Sequence, residues 1–412
     1  MLWMLIILIF GGLALYSSVQ SSIDYMTGPG FSSEYNMVFD QQTGESVKLA
    51  DFLVCDISPW DVERAQKNGI SVDMLSYLAY FVFPFSGNDP LFSEENKDKL
   101  ADLEKKYQEV VAKYDNDANA VLDKVTRTCE DTIIYCRMGL RKEMNGKECC
   151  DLNFNPGVYT TEGKCYNTAG KMDYNISKAV KPLGIMVAVH VGKDISDIIN
   201  QKIASFLSYL NQGVTVVFSD PKDHPFISAN KQSYYLLPNT INSVAVERAV
   251  IDSTGLRNSI FHKQECASST DTEVIERRCP GYELYSKENC GLSTLRNVGV
   301  KILNCSLLFL PNPDNRPHCS PATTVKLFQL SQQKLEQPSE DSSCPLDCIK
   351  EIYSARVTSH AITQGFRTMV SKAILDTETQ QAFTAITVHY PSFDTIKIVQ
   401  HGKVRSMENR VY

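Results

Sequence analysis

The sequence lacks the patterns by which enzymes and nucleic-acid binders are first recognised. No HExxH, no GxSxG and no GxGxxG following a strand occurs in its 412 residues, which removes the usual zinc-hydrolase, serine-hydrolase and dinucleotide readings. Basic residues are outnumbered, 41 against 48, for a formal net charge of −7; nucleic-acid binders carry the opposite excess. No internal repeat and no long low-complexity segment is present. After the first sixteen positions, no apolar run approaches the roughly 18–20 residues of a membrane span.

Histidine is also sparse. His190, His224, His262, His318, His360, His389 and His401 are scattered, and no pair of them stands at zinc-ligand spacing. Each reads most simply as a surface or satisfied core residue. Gly157 to Cys165 has a trace of a phosphate loop, but five residues separate its glycines and Cys165 stands where a magnesium-binding hydroxyl is needed. The vicinal Cys149 and Cys150 suit one tetrahedral zinc poorly, so disulfides account for them better. No catalytic constellation, metal site or cofactor is expected.

Cysteine, by contrast, is abundant. Thirteen thiols have little structural use in a reducing compartment, and an odd count leaves at least one outside any intrachain set. The charge-free opening MLWMLIILIFGGLALY fits a membrane helix that continues into the uncharged SSVQSSI. A cleaved signal peptide is the other reading, although its basic n-region is missing. Either way the remaining chain leaves the cytosol. With 43% hydrophobic residues it has ample apolar side chain for a core.

Strands are expected over Ser46–Ile57, Pro182–Val191, Gly213–Ser219, Ser243–Ile251 and Ala382–Tyr390, which are rich in valine and isoleucine. Ser58-Pro59-Trp60-Asp61 opens a short helix. Ser93–Arg127 reads as a long helical region with Leu100, Leu103, Tyr107, Val110, Tyr114, Val121 and Val125 on one face. Ile195–Leu210 has helical spacing as well. Cys129–Cys165 and Cys266–Cys348 are cysteine-dense, the first of them loop-like. The fold class is α+β: a disulfide-rich ectodomain behind one N-terminal membrane helix.

Several segments, in order, resemble the degenerin, epithelial sodium channel and acid-sensing ion channel superfamily. The opening helix resembles its first transmembrane segment. LADFLVCDISPW (Leu49–Trp60) is similar to its FPxVTICNxNP stretch, with Leu49 and Ala50 in place of Phe-Pro. EGKCYNTAG (Glu162–Gly170), GVTVVFSDPKDHPF (Gly213–Phe226), YYLLPNTINSVAVER, YSKENC (Tyr285–Cys290), LNCSLLFLP, HCSP and CPLDCIKEIY (Cys344–Tyr353) follow the family's order across nearly the whole chain.

The resemblance implies a β palm with helical finger and thumb lobes. Residues 1–25 would form the first membrane helix and 26–400 the ectodomain, with 266–348 its thumb and 401–412 a polar tail. It also implies disulfides joining Cys55 to Cys165, Cys136 to Cys150, Cys266 to Cys348, Cys290 to Cys344 and Cys305 to Cys319. Two family bridges are missing as whole pairs, at Thr294 with Ser342 and at Leu303 with Leu327. Cys129, Cys149 and Cys279 stay unassigned; a Cys129–Cys149 link would leave Cys279 free. Each bridge of this kind typically contributes ~2–4 kcal/mol.

Asn175-Ile176-Ser177 is a glycosylation sequon, and Asn304-Cys305-Ser306 a poorer one. Asp220 and Asp223 stand where some family members sense protons, though a solvated loop is the plainer account. Lys263 replaces an aromatic that some members use at the wrist. The family's second membrane helix, with its selectivity filter, is not found before Tyr412, and the cytosolic segment before the first helix is not found either. The expectation is therefore a subunit, or fragment of one, of a trimeric amiloride-sensitive type sodium channel that does not conduct alone. It would pass sodium with homologous subunits in a plasma membrane. A membrane-anchored or secreted disulfide-rich binding protein without channel activity is the other reading.

Overall fold

The computed structural model describes residues 16, 31–38, 46–84, 88–140, 142–192, 213–231, 233–256, 266–335, 344–374 and 382–402. The expected membrane helix over 1–25 lies outside them except for Tyr16, as do Lys263 and the helix expected over 195–210. Among the described residues no helix is long and apolar enough to cross a membrane.

Strand β1 (Phe31–Val38) is followed by β2 (Val47–Lys48) and β3 (Phe52–Asp56). The strand expected over Ser46–Ile57 is thus two, separated by Leu49–Asp51: β2 pairs with Asn175–Ile176, a register the Leu49 N–H continues to the Tyr174 carbonyl, whereas β3 joins a different sheet. A helical lobe comes next: α1 (Val62–Lys67), α2 (Val72–Leu78), α3 (Lys97–Ala112) and α4 (Ala118–Val125). Asp61 and Ser71 cap α1 and α2 by accepting the N–H groups of Arg64 and Met74. The long helix expected over Ser93–Arg127 is two, because Asp115 and Asn116 take positive φ angles of 52° and 59°. Asp and Asn tolerate that left-handed region, which ends a helix. Leu103, Tyr107 and Val111 on α3 bury one stripe against Tyr77 and Phe81, and polar residues fill the opposite face.

The stretch expected to be loop-like is ordered. It holds α5 (Cys129–Thr132), β4 (Ile133–Met138), β5 (Lys142–Asn145), α6 (Gly146–Asn153), β6 (Val158–Thr160) and β7 (Gly163–Asn167). Beyond it lie β8 (Asn175–Ile176), β9 (Ile185–His190), β10 (Val214–Phe218), α7 (Pro225–Lys231), β11 (Ser233–Leu236) and β12 (Thr240–Asp252). The cysteine-rich lobe is built from β13 (Cys266–Ala267), α8 (Thr272–Arg278), α9 (Lys287–Leu303), α10 (Pro321–Leu335) and β14 (Leu346–Asp347). The last described elements are β15 (Ile349–Ala361), α11 (Gln364–Ile374), β16 (Phe383–His389) and β17 (Thr395–Gly402); the expected tail over 401–412 lies outside the described residues from 403 on.

Two main sheets result. One runs β1-β17-β12-β16-β9-β4-β5, with β15 added on β12; the other runs β11-β10-β3-β7-β6. β12 organises the first. Its whole length pairs antiparallel with β15, and its other edge pairs parallel with β16 over Ile241–Ala245 and with β17 over Arg248–Asp252. One apolar cluster spans both sheets, from Phe52, Val54 and Val216 to Val187, Val244 and Ile386.

Six disulfides are present among the described residues: Cys55–Cys165, Cys129–Cys150, Cys136–Cys149, Cys266–Cys348, Cys290–Cys344 and Cys305–Cys319. Two differ from expectation, since Cys150 was assigned to Cys136 and Cys149 provisionally to Cys129. Helix geometry explains the exchange. Neighbouring positions on α6 point about 100° apart, so fully buried Cys149 faces β4 while Cys150 faces α5. Cys279 is the free thiol; it is buried, and burial pushes it up to about 11. Because Cys149 and Cys150 are adjacent, both bridges fall in one unreduced fragment; partial reduction and alkylation followed by fragmentation between the two cysteines is expected to place Cys129 on Cys150 and Cys136 on Cys149. Finding Cys136 on Cys150 would refute the α6 orientation.

The helical lobe meets the sheets at a buried ion pair. Asp56 ends β3, Arg127 follows α4, and their side chains are 1% and 8% exposed. Arg127 also donates to the Ser58 and His190 carbonyls. Gly192 leaves room for this guanidinium, because a Cβ there would come within 2.7 Å of Nη2.

Candidate functional site

The residues singled out in the sequence that carry charge into the interior are Asp220 and Asp223, and neither belongs to a solvated loop. They are 4% and 7% exposed. The segment 219–224 leaves β10 and is wedged between β15 and α9. Asp220 Oδ1 accepts the Lys222 N–H at 3.1 Å, which closes a tight turn of the kind Asp favours. Asp220 Oδ2 accepts the Glu351 N–H at 2.9 Å and lies 3.2 Å from Lys222 Nζ. Lys222 Nζ in turn donates to the Ile349 carbonyl at 2.5 Å. The Asp223 N–H bonds back to the Asp220 carbonyl.

These contacts follow from strand geometry. The pairs Asn239–Ile362 and Ser253–Cys348 hydrogen-bond across β12 and β15, so the odd-numbered backbone groups of β15 point away from β12. An edge strand leaves such groups without partners. Here Lys222 takes the carbonyl of 349, Asp220 takes the N–H of 351, and the Tyr234 hydroxyl takes the N–H of Ala355 at 2.7 Å. Asp220 is therefore a clip on the edge of the sheet.

The same turn is held from the other side by Asn289, which is 2% exposed on the first turn of α9. Its Oδ1 accepts the His224 N–H at 3.0 Å, and its Nδ2 donates to the Lys222 carbonyl at 2.8 Å and the Leu284 carbonyl at 3.2 Å. Ser286 caps the helix by accepting the Asn289 N–H. One asparagine thus joins the cysteine-rich lobe to the turn, and one aspartate joins the turn to the sheet.

Below this junction a cavity of about 560 Å³ opens between Ile251, Ser253, Lys287, Asp347, Lys350 and Gln400. Lys350 bridges Glu288 and Asp347, and the Lys287 N–H donates to Asp347 Oδ1 at 3.2 Å. Burial, and next the neighbouring Glu288 charge, push the Asp347 carboxyl up to about 6 even with Lys350 beside it. Burial also raises the Asp220 carboxyl above its usual range, against the bonds from Glu351 and Lys222. Burial drives His224 down to about 4. Among the described residues no group of three or more His, Cys, Asp or Glu is placed to hold a metal ion.

Asn289, Glu288 and Asp347 were not legible as site residues. Asn289 sits inside the YSKENC segment, but its role depends on a turn 65 residues earlier in sequence. Asn175 is exposed on β8, with its amide donating to Asp173 Oδ1 at 3.3 Å. Asn304 occupies the left-handed cap of α9, and its Oδ1 accepts from Arg316.

Residues 1–408 match the model of one protein family, described as the amiloride-sensitive sodium channel. No curated protein matches the chain significantly.

Proposed function

We propose that this chain, which belongs to the amiloride-sensitive sodium channel family, is a subunit of a plasma-membrane sodium channel and that its described part faces the oxidising side. The family match over residues 1–408 carries the reading. It is a channel family rather than an enzyme family, so the activity is passive sodium flow, with no bond made or broken and no cofactor required. Six disulfides suit an extracellular location. In this reading the first sheet is the palm, the α1–α4 lobe the finger and the cysteine-rich lobe the thumb.

A mechanical route follows from the contacts. A shift of α9 pulls on the 219–224 turn through Asn289, and the turn pulls on β15 through Asp220 and Lys222. β15 is bonded along its full length to β12, β12 to β17, and β17 to β1. Phe31 at the start of β1 lies opposite Gly402 at the end of β17. Chain entering from the apolar N-terminal segment and chain leaving β17 therefore meet at one edge of the sheet, where a displacement would reach the membrane. Homologous subunits and the bilayer are the partners this implies.

Mass measurement of the intact full-length chain, isolated from the cell surface in detergent, tests the assembly. Three homologous chains per particle are expected. A surface-derived monomer, or a chain that never reaches the surface, would overturn the subunit reading.

A further inference from the structure

One corner of the fold takes no part in the mechanical route above. β2 and β8 form a two-stranded sheet of their own, with Val47 opposite Ile176 and Lys48 opposite Asn175. Ile176 is 2% exposed and roots β8 in the apolar cluster that spans the two main sheets, and Val47 packs against the same cluster. Side chains alternate along an extended chain, so the neighbours of Ile176 point the other way. Asn175 and Ser177 are both exposed. The register therefore puts the amide and the hydroxyl of the Asn175-Ile176-Ser177 sequon on one outer face. Lys48, across the pair, turns its Nζ to Asp51 at 3.1 Å and leaves the amide clear. Asn175 Nδ2 donates to Asp173 Oδ1 at 3.3 Å, and Asp173 is itself exposed. An amide nitrogen carries two hydrogens, so losing one of them is compatible with that bond.

The second sequon, Asn304-Cys305-Ser306, is arranged the opposite way. Asn304 turns outward at the left-handed cap of α9, with φ 54° and its Oδ1 accepting from Arg316 Nη1 at 2.9 Å. Ser306 points inward and is 1% exposed. Its N–H donates to the Pro317 carbonyl, and its own carbonyl accepts the Cys319 N–H. Cys305, between the two, is bridged to Cys319. Closing that loop takes the Ser306 hydroxyl inside and away from the Asn304 amide.

We propose that Asn175, and not Asn304, carries an N-linked oligosaccharide. The proposal rests on the extracellular placement argued above, which takes the chain through the compartment where such transfer occurs. Asn175 Nδ2 attacks the anomeric carbon of an oligosaccharide joined to a lipid pyrophosphate. The C–N bond forms as the C–O bond to the pyrophosphate breaks. Lipid pyrophosphate leaves with the electron pair, the amide gives up one proton, and nothing is oxidised or reduced. Ser177 supplies the hydroxyl that the sequon requires. The bulky, hydrated product keeps this corner of the molecule in solvent.

The full chain, expressed in animal cells and isolated in detergent, tests this by its mass before and after digestion with a peptide N-glycosidase. Loss of one oligosaccharide's mass is expected. With digestion in heavy-oxygen water, the label should appear at position 175, where the amide has become a carboxyl, and not at position 304. Asn175→Gln and Ser177→Ala should each abolish the mass loss, and Ser177→Thr should keep it, which separates sequon chemistry from any effect on folding. Asn304→Gln should behave like the parent. Migration with and without reductant reports on the six disulfides in the same samples. An oxidised chain without the mass loss, or label at position 304, would overturn this proposal and leave the extracellular placement standing. A chain neither oxidised nor glycosylated would overturn both.

Discussion

Replacing Arg127 with Met lowers the stability of the folded chain by about 3–5 kcal/mol, the usual cost of leaving one member of a buried ion pair alone. Asp56 is fully buried beside it, and burial already raises its carboxyl above the ordinary range, opposed chiefly by the Arg127 charge. Without Arg127 that carboxyl is driven higher still. The loss should therefore shrink on acidification, where Asp56 is neutral and an uncharged carboxyl needs no counter-ion. Asp56→Leu combined with Arg127→Met is expected to recover most of the loss, because two apolar groups leave nothing unpaired. Trp60 makes this measurable. It is 3% exposed and bridges to Thr126, next to Arg127, so its fluorescence follows this joint during urea unfolding. A single variant as stable as the parent would show that Asp56 finds another partner.

Asp347→Asn and His224→Gln are expected to shift the pH dependence of stability in opposite directions. The folded pKa of Asp347, about 6, lies above its unfolded value of 3.8, so the folded chain takes the proton first. Stability from this group grows as pH falls from about 6 into the ordinary carboxylate range, by roughly 3 kcal/mol at most. His224 behaves in the reverse sense. Its folded pKa, about 4, lies below 6.5, so the unfolded chain takes the proton first, and stability is lost as pH falls through that window by a similar roughly 3 kcal/mol. In the parent the two largely cancel. Relative to the parent, Asp347→Asn should lose stability at pH 4.5 against pH 7, and His224→Gln should gain it. Parallel shifts in both variants would refute the assigned burial of one of the two groups.

What the sequence revealed and what it hid divide along a physical line. Features set by local pattern were readable. The valine-rich segments expected around 213–219 and 243–251 are β10 and β12, and the stripe of Leu103 and Tyr107 is the buried face of α3. Features set by the relative orientation of distant segments were not. The adjacent Cys149 and Cys150 exchange partners because of how α6 is rotated over β4, which spacing does not encode. The break at Asp115 and Asn116 was available in principle, since both residues tolerate positive φ, but the apolar period runs through it undisturbed. Asp220 looks like a loop residue in sequence. It is buried because β15 offers an unpaired N–H 131 residues away. Asn289 is hidden for the same reason. A residue that joins two lobes becomes visible only when both are in place.

The central claim is that the chain works as a sodium-channel subunit and that Asn289 couples its cysteine-rich lobe to the sheet. Whole-cell sodium current, blockable by amiloride, in cells that supply homologous subunits with and without the full chain tests it most directly. The account predicts that the chain adds to or alters this current, and that Asn289→Ala, expressed at equal surface density, changes how the current responds to its stimulus while sodium selectivity stays the same. A current indistinguishable in the presence and absence of the chain would contradict the account and leave a binding protein as the better description.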